Sequence, residues 1–142
     1  MKIVIEIPGE PCSQGRPRFA RRGNFVVAYD PTKSKNWKAT AQVHMIAVMD
    51  SLAASKPFTG PLSVRVTARF TCPKTDFRKR YPRFERWHAK RPDAENIAKA
   101  VLDAATGVVY GDDSQVAYLT VLKRIAAQGA APEVILEVEE LV

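Results

Sequence analysis

Near the start of the chain, KIVIEI alternates Ile3, Ile5 and Ile7 with Lys2, Val4 and Glu6, a period of two that predicts a strand closed by the Pro8-Gly9 turn. The polar segment CSQGRPRFARRGNF follows, and NFVVAY then predicts a short strand, so the basic residues between them are expected at the edge of a sheet. Asp30 and Pro31 suit an N-cap and a first helical position. Beyond them Trp37, Ala41, His44, Met45, Val48 and Leu52 recur at intervals of three and four, which predicts one helix to about Ala54.

LSVRVTARFT is the strongest strand signal, with Leu62, Val64, Val66, Ala68 and Phe70 inward and Arg65 and Arg69 outward. A basic loop from Cys72 to Pro92 comes next, too long for an idle connection in a compact domain. A second helix is expected from Asp93 to Gly107, with Ile97, Ala100, Val101 and Ala104 facing the core and Gly107 as a left-handed cap. VVYGDDS turns into the strand QVAYLTVLKRI, and EVILEVEEL is the last strand. The order predicts one α/β domain over residues 1–142, a mixed β-sheet with two main helices packed on it.

Composition narrows the function more than the fold. No apolar run approaches the roughly 18 residues of a membrane span, and the early alternation is unlike a signal peptide, so a cytoplasmic location and no membrane partner are expected. Cys12 and Cys72, like His44 and His88, form no metal-ligand spacing, and His44 reads as a core or boundary residue. The net charge of +7 is unevenly spread: residues 61–100 hold 11 Lys and Arg against 4 acids, residues 101–142 hold 2 against 7. Cations gather around Arg16, Arg18, Arg21 and Arg22, and again at Arg78, Lys79, Arg80, Arg83, Arg86, Lys90 and Arg91. Both clusters include aromatic residues, the mixture that binds phosphates and unstacked bases, and Lys33, Lys35 and Lys38 near a helix start point weakly the same way.

Directly after the second basic cluster come Asp93, Glu95, Asp103, Asp112 and Asp113. Taken singly, each has a structural use as a cap or turn residue. Taken together, Asp93 and Glu95 at the helix start would meet Asp113 at the start of a strand packed beside that helix. Converging carboxylates need a divalent cation, and hard oxygen ligands without His or Cys suit magnesium (Mg2+) or manganese (Mn2+). Such a metal beside a basic surface is equipment for phosphodiester hydrolysis. Lys99, four residues after Glu95, is either its salt-bridge partner or a cation aimed at the scissile phosphate.

The stretch RPDAENIAKAVLDAATGVVYGDDSQV resembles the signature of the RusA family of Holliday junction resolvases, often carried by prophages. That pattern runs Pro-Asp-x-Asp-Asn, a Lys four residues after the second acid, Leu-Asp-Ala, Gly-Val and Asp-Asp-x-Gln-Val. The likeness extends to the first strand, the Gly-Arg-Pro-Arg segment and the helix carrying Trp37. It implies a RusA-like fold and a homodimeric, Mg2+-dependent endonuclease that resolves four-way or branched DNA by paired incisions, in recombination and repair. It implies catalytic roles for Asp93, Glu95, Lys99 and Asp113, a metal site of Asp93, Glu95, Asp112 and Asp113, and supporting roles for Asn96, Asp103 and Gln115. This sequence departs from the pattern at Glu95, where the family carries Asp. The competing readings are a non-catalytic module that binds branched or single-stranded nucleic acid, and a less selective nuclease or RNase using the same acids.

Overall fold

The computed structural model of the chain describes residues 1–15, 18–29, 32–52 and 56–142. Alternation dictates its main layer. In β1 (Lys2–Pro8) the three isoleucines are buried, and β4 (Leu62–Phe70) and β7 (Glu133–Glu140) follow the same rule with Val64, Val66, Ala68 and with Val134, Leu136, Val138. With β6 (Val116–Ile125) and the two-residue β5 (Arg86–Trp87) they form a five-stranded sheet in the order β1-β7-β4-β6-β5. Only the β4·β6 pair is parallel, so the sheet is mixed.

Two helices cover the apolar face. α1 (Thr32–Ser51) sets Ala41, Met45 and Met49 into the core, and α2 (Ala94–Ala105) adds Ile97, Val101, Ala104 and Ala105. The predicted inward residues of α2 are all buried, and Gly107 lies just past its end at φ 82, where a left-handed turn favours glycine. The expected helix start at Asp30-Pro31 lies outside the described residues. Among the described residues no helix is long and apolar enough to cross a membrane.

Three expectations change. The first basic cluster is not an edge loop of the main sheet: β2 (Arg18–Arg22) pairs with β3 (Phe25–Tyr29) across a Gly23-Asn24 turn as a separate two-stranded hairpin. Three arginines in the five residues of RFARR hid the signal for β2 behind charge, and Phe19, Phe25 and Val26 of the hairpin are exposed. The 72–92 loop contains β5, whose Arg86 and Trp87 pair with Ile125 and Arg124. Lastly, VVYGDDS is more than a turn, because Tyr110 is fully buried and its hydroxyl donates to the Leu102 carbonyl at 3.0 Å. Burial pushes that phenol's pKa up, so the hydroxyl remains a donor even in alkaline solution.

Candidate functional site

The basic loop is delivered to α2 by contacts with β6. The His88 backbone N–H donates to Lys123 O at 3.1 Å, its ring lies 4.6 Å from that of Phe70, and the Lys123 ammonium donates to Lys90 O. Arg91 and Pro92, joined by a cis peptide bond, lead straight into Asp93. Asp93 is the N-cap of α2 in backbone only: its carbonyl accepts from Asn96 N at 3.1 Å and Ile97 N at 3.2 Å, while its side chain makes no capping bond. Glu95 is exposed in the first turn. The Gln14 N–H donates to Asn96 O at 3.0 Å, and Ser13, Arg91, Pro92, Asp93 and Asn96 line an open depression of about 570 Å³.

Lys99 is exposed one turn further on and makes no ion pair with Glu95. The ordinary helix-surface bridge between them is therefore not made. Asp103, by contrast, pairs with Lys38 at 3.0 Å, binding α2 to α1 and giving Lys38 a structural partner in place of a phosphate.

The second pair of acids is fixed by one side chain. Gln115 Oε1 accepts from Gly111 N at 2.9 Å and Asp112 N at 3.0 Å, and its Nε2 donates to Phe58 O at 2.9 Å and Gly60 O at 3.1 Å. A short 3-10 turn, Asp113–Gln115, then opens into β6. The Ser114 hydroxyl donates to Asp112 and holds that carboxyl below the usual carboxylate range. Asp112 and Asp113 are both exposed.

These two acidic groups do not meet within one chain. β6 packs beside α2 as expected, but the connection is short and the strand must run back along the helix, so the strand's first residue lies by the helix's last turn. Tyr110 bridges Thr106 there, and Leu62 pairs with Val116. Asp93 and Glu95 thus sit at one end of α2 and Asp112 and Asp113 at the other, separated by about the 18 Å rise of a 12-residue helix. Among the described residues no three of His, Cys, Asp and Glu are close enough to hold an ion together. The donor chemistry at each end still fits Mg2+, which commonly takes one or two carboxylates and keeps several waters.

The predicted cations divide in the same plain way. Arg16 lies outside the described residues; Arg18, Arg21 and Arg22 lie on β2, and the Arg21 Nε donates to Gly23 O at 3.2 Å. Arg78, Lys79, Arg80, Lys90 and Arg91 are exposed, without ion pairs among the described residues. Arg83 and Arg86 instead build the loop. Arg83 Nε donates to Asp76 O at 3.3 Å, and Arg86 pairs with Asp76 at 2.7 Å while lying 3.7 Å from the Cys72 sulfur. Sequence reasoning missed Glu85, bonded by Arg69 and by Arg124, whose guanidinium stacks 4.0 Å from the Trp87 ring. A lone acid among arginines was its signal.

A family model described as Endodeoxyribonuclease RusA matches residues 8–139. The uncharacterized protein YqaN of Bacillus subtilis (strain 168) is 34% identical over 126 residues, covering 85% of this chain and 86% of that protein.

Proposed function

This chain belongs to the RusA endodeoxyribonuclease family, and on that premise we propose that it is an Mg2+-dependent endonuclease resolving four-way DNA junctions by paired incisions. It would act as a homodimer, in the cytoplasm, in recombination and repair. The observation that carries this reading is the state of four acids. In a chain of net charge +7, Asp93, Glu95, Asp112 and Asp113 have no cationic partner among the described residues. Carboxylates left open beside so many arginines are available to a metal.

Their division between the two ends of α2 gives the dimer a chemical purpose. A two-fold axis across the middle of α2 would set the Asp93 end of one copy beside the Asp112–Asp113 end of the other. One dimer would then hold two composite sites related by symmetry, as two opposed cuts require. Asp93 and Glu95 of one copy and Asp112 and Asp113 of the other would hold the cation. When bound, Mg2+ supplies an activated water and charge neutralisation at the phosphate. Lys99, exposed and free of Glu95, would neutralise charge growing on the phosphate oxygens. Arg78, Lys79, Arg80, Lys90 and Arg91 attract the strand, and Gln115 keeps the Asp112 turn in shape.

The test is complementation. Asp93→Asn and Asp113→Asn proteins, each inactive alone, are mixed, dissociated and reassembled with a labelled synthetic junction and Mg2+. In a composite arrangement the mixed dimer has one intact site and one doubly damaged site, so single nicks return. If every site lay within one chain, both sites would be damaged and no nicks would appear. Failure of the wild type to cut any junction with Mg2+ would favour the non-catalytic binding module.

A further inference from the structure

Tyr81 and Phe84 are 76% and 87% exposed, the most exposed aromatic rings among the described residues. They do not belong to a slack loop. Gln128, in the turn between β6 and β7, accepts through Oε1 from Arg78 N at 2.9 Å and Arg83 N at 3.2 Å. Its Nε2 donates to Arg78 O at 3.1 Å, and its backbone N–H donates to Arg83 O at 3.0 Å. One residue therefore closes the loop on itself at both feet, and Pro82 stiffens its tip. Immediately after Phe84, Glu85 is fixed by Arg69 and Arg124.

Holding two large rings in water on a rigid support opposes the hydrophobic effect, and no described residue covers them. Trp87 is different, because Arg124 already stacks on its ring. Tyr81, Pro82 and Phe84 share an open depression of about 310 Å³ with Arg78, Arg83 and Arg86 and with Glu85, whose charge is already taken up by Arg69 and Arg124. Lys79 and Arg80 stand exposed at the tip. Flat apolar faces surrounded by cations fit a polyanion with unstacked rings, and the same positive charge disfavours a second copy of this loop.

We propose that residues 78–84, clamped by Gln128, form a stacking platform for unpaired DNA bases, with Tyr81 and Phe84 taking base faces while Arg78, Lys79 and Arg80 take phosphates. The proposal rests on the nucleic-acid reading above but not on catalysis. A duplex hides its base faces, so the platform adds affinity only where pairing is broken, as at the exchange point of a junction or on a single strand.

The experiment is fluorescence anisotropy in EDTA, so that cutting plays no part, with the full chain and three probes: a thymidine 20-mer, an abasic strand of equal length and a duplex. Wild type is expected to bind the thymidine strand at least tenfold more tightly than the abasic strand. Tyr81→Ala/Phe84→Ala should lose ten- to hundredfold on thymidine, as removal of stacked rings does, and less than twofold on abasic strand and duplex. Tyr81→Phe with Phe84→Trp, which keeps both faces, should restore binding. Gln128→Ala should weaken thymidine binding severalfold with both rings still present. Equal wild-type affinity for thymidine and abasic strands would overturn the proposal, as would parallel loss on all three probes. A shift from dimer to monomer in sedimentation on removing the rings would also overturn it, assigning them to a second copy. A protein that never cuts a junction would sink the nuclease reading and leave these outcomes as they are.

Discussion

The loop from Cys72 to Pro92 and the two ends of α2 treat their charges in opposite ways. Within the loop, the Asp76 carboxylate holds Arg86 while its backbone carbonyl accepts from Arg83, Glu85 holds Arg69 and Arg124, and Gln128 clamps the backbone of Arg78 and Arg83. At the helix ends, Asp93 forgoes its capping bond, Glu95 and Lys99 ignore each other, and Asp113 has no ion pair among the described residues. A cationic surface that must present its charge in a fixed pattern needs internal struts, since like charges otherwise spread the loop. Carboxylates meant for a metal must stay open, since a salt bridge would compete with it. Asp76 and Glu85 are thus structural, whereas Asp93, Glu95, Asp112 and Asp113 are left without a cationic partner among the described residues, as the proposed metal site requires.

The hardest test of that contrast is to remove open carboxylates. Asp93→Asn and Asp113→Asn should each lower junction cutting at least a thousandfold, with binding in EDTA within twofold of wild type. Loss of binding along with cutting would place these acids among the struts. Lys99→Ala should cost about 10²- to 10³-fold in rate, the usual effect of losing a group that stabilises developing charge. Glu95→Asp, which shortens the side chain, should keep activity, and Glu95→Gln should not.

The loop side is tested by salt. Replacing Arg78, Lys79 and Arg80 with Ala should weaken duplex binding and shallow the slope of log K against log salt by roughly 0.9 for each phosphate that the variant no longer neutralises. An unchanged slope would mean that these cations only solubilise the loop. A smaller effect follows from Gln115→Ala. It removes four hydrogen bonds, and at on the order of 1 kcal/mol net for each, incompletely additive, stability should fall by about 2–3 kcal/mol. Thermal melting measures the loss, and cutting should fall less than in the Asp93 variant.

The mildest effect concerns pH. Burial, with help from Lys123, lowers the His88 pKa from its ordinary 6.5. For Glu85 burial acts upward, but the bonds from Arg69 and Arg124 outweigh it and the pKa falls below the ordinary 4.5. Both groups have folded values below their unfolded ones, so each adds stability that is fully present above the unfolded value and lost as pH falls through the folded one. The melting temperature should therefore decline first below pH 6.5 and again below 4.5. His88→Gln should remove the first decline and leave the second.

The elements legible in the sequence are those whose pattern is set by one buried face. β4, β7 and α2 carry clean periods, and their predicted inward residues are the buried ones. β2 and β5 were invisible because neither carries an apolar period: one reads RFARR in a separate hairpin, the other is two residues long. At the candidate site, residue types and the order of the acids could be read directly. Their separation could not, because it depends on the direction of β6 relative to α2, which spacing along a chain does not encode. Arg86 looked like its loop neighbours, and only the fold turns it inward to Asp76 and Cys72.

The far edge of the main sheet has a bearing on handling. β5 covers only the Arg124–Ile125 end of β6, so from Val116 to Leu122 the side away from β4 has no strand partner among the described residues. The segment VAYLTVL contains no charge and no proline, and Tyr118 and Leu119 are exposed. An uncharged strand with free backbone groups is a template on which another molecule can add a strand, the first step toward aggregation. Lys123 and Arg124 close the segment as gatekeepers at one end only. Colloidal solubility, and not only the stability of the core, is therefore what a charge placed on this bare edge, such as Thr120→Lys, is expected to raise.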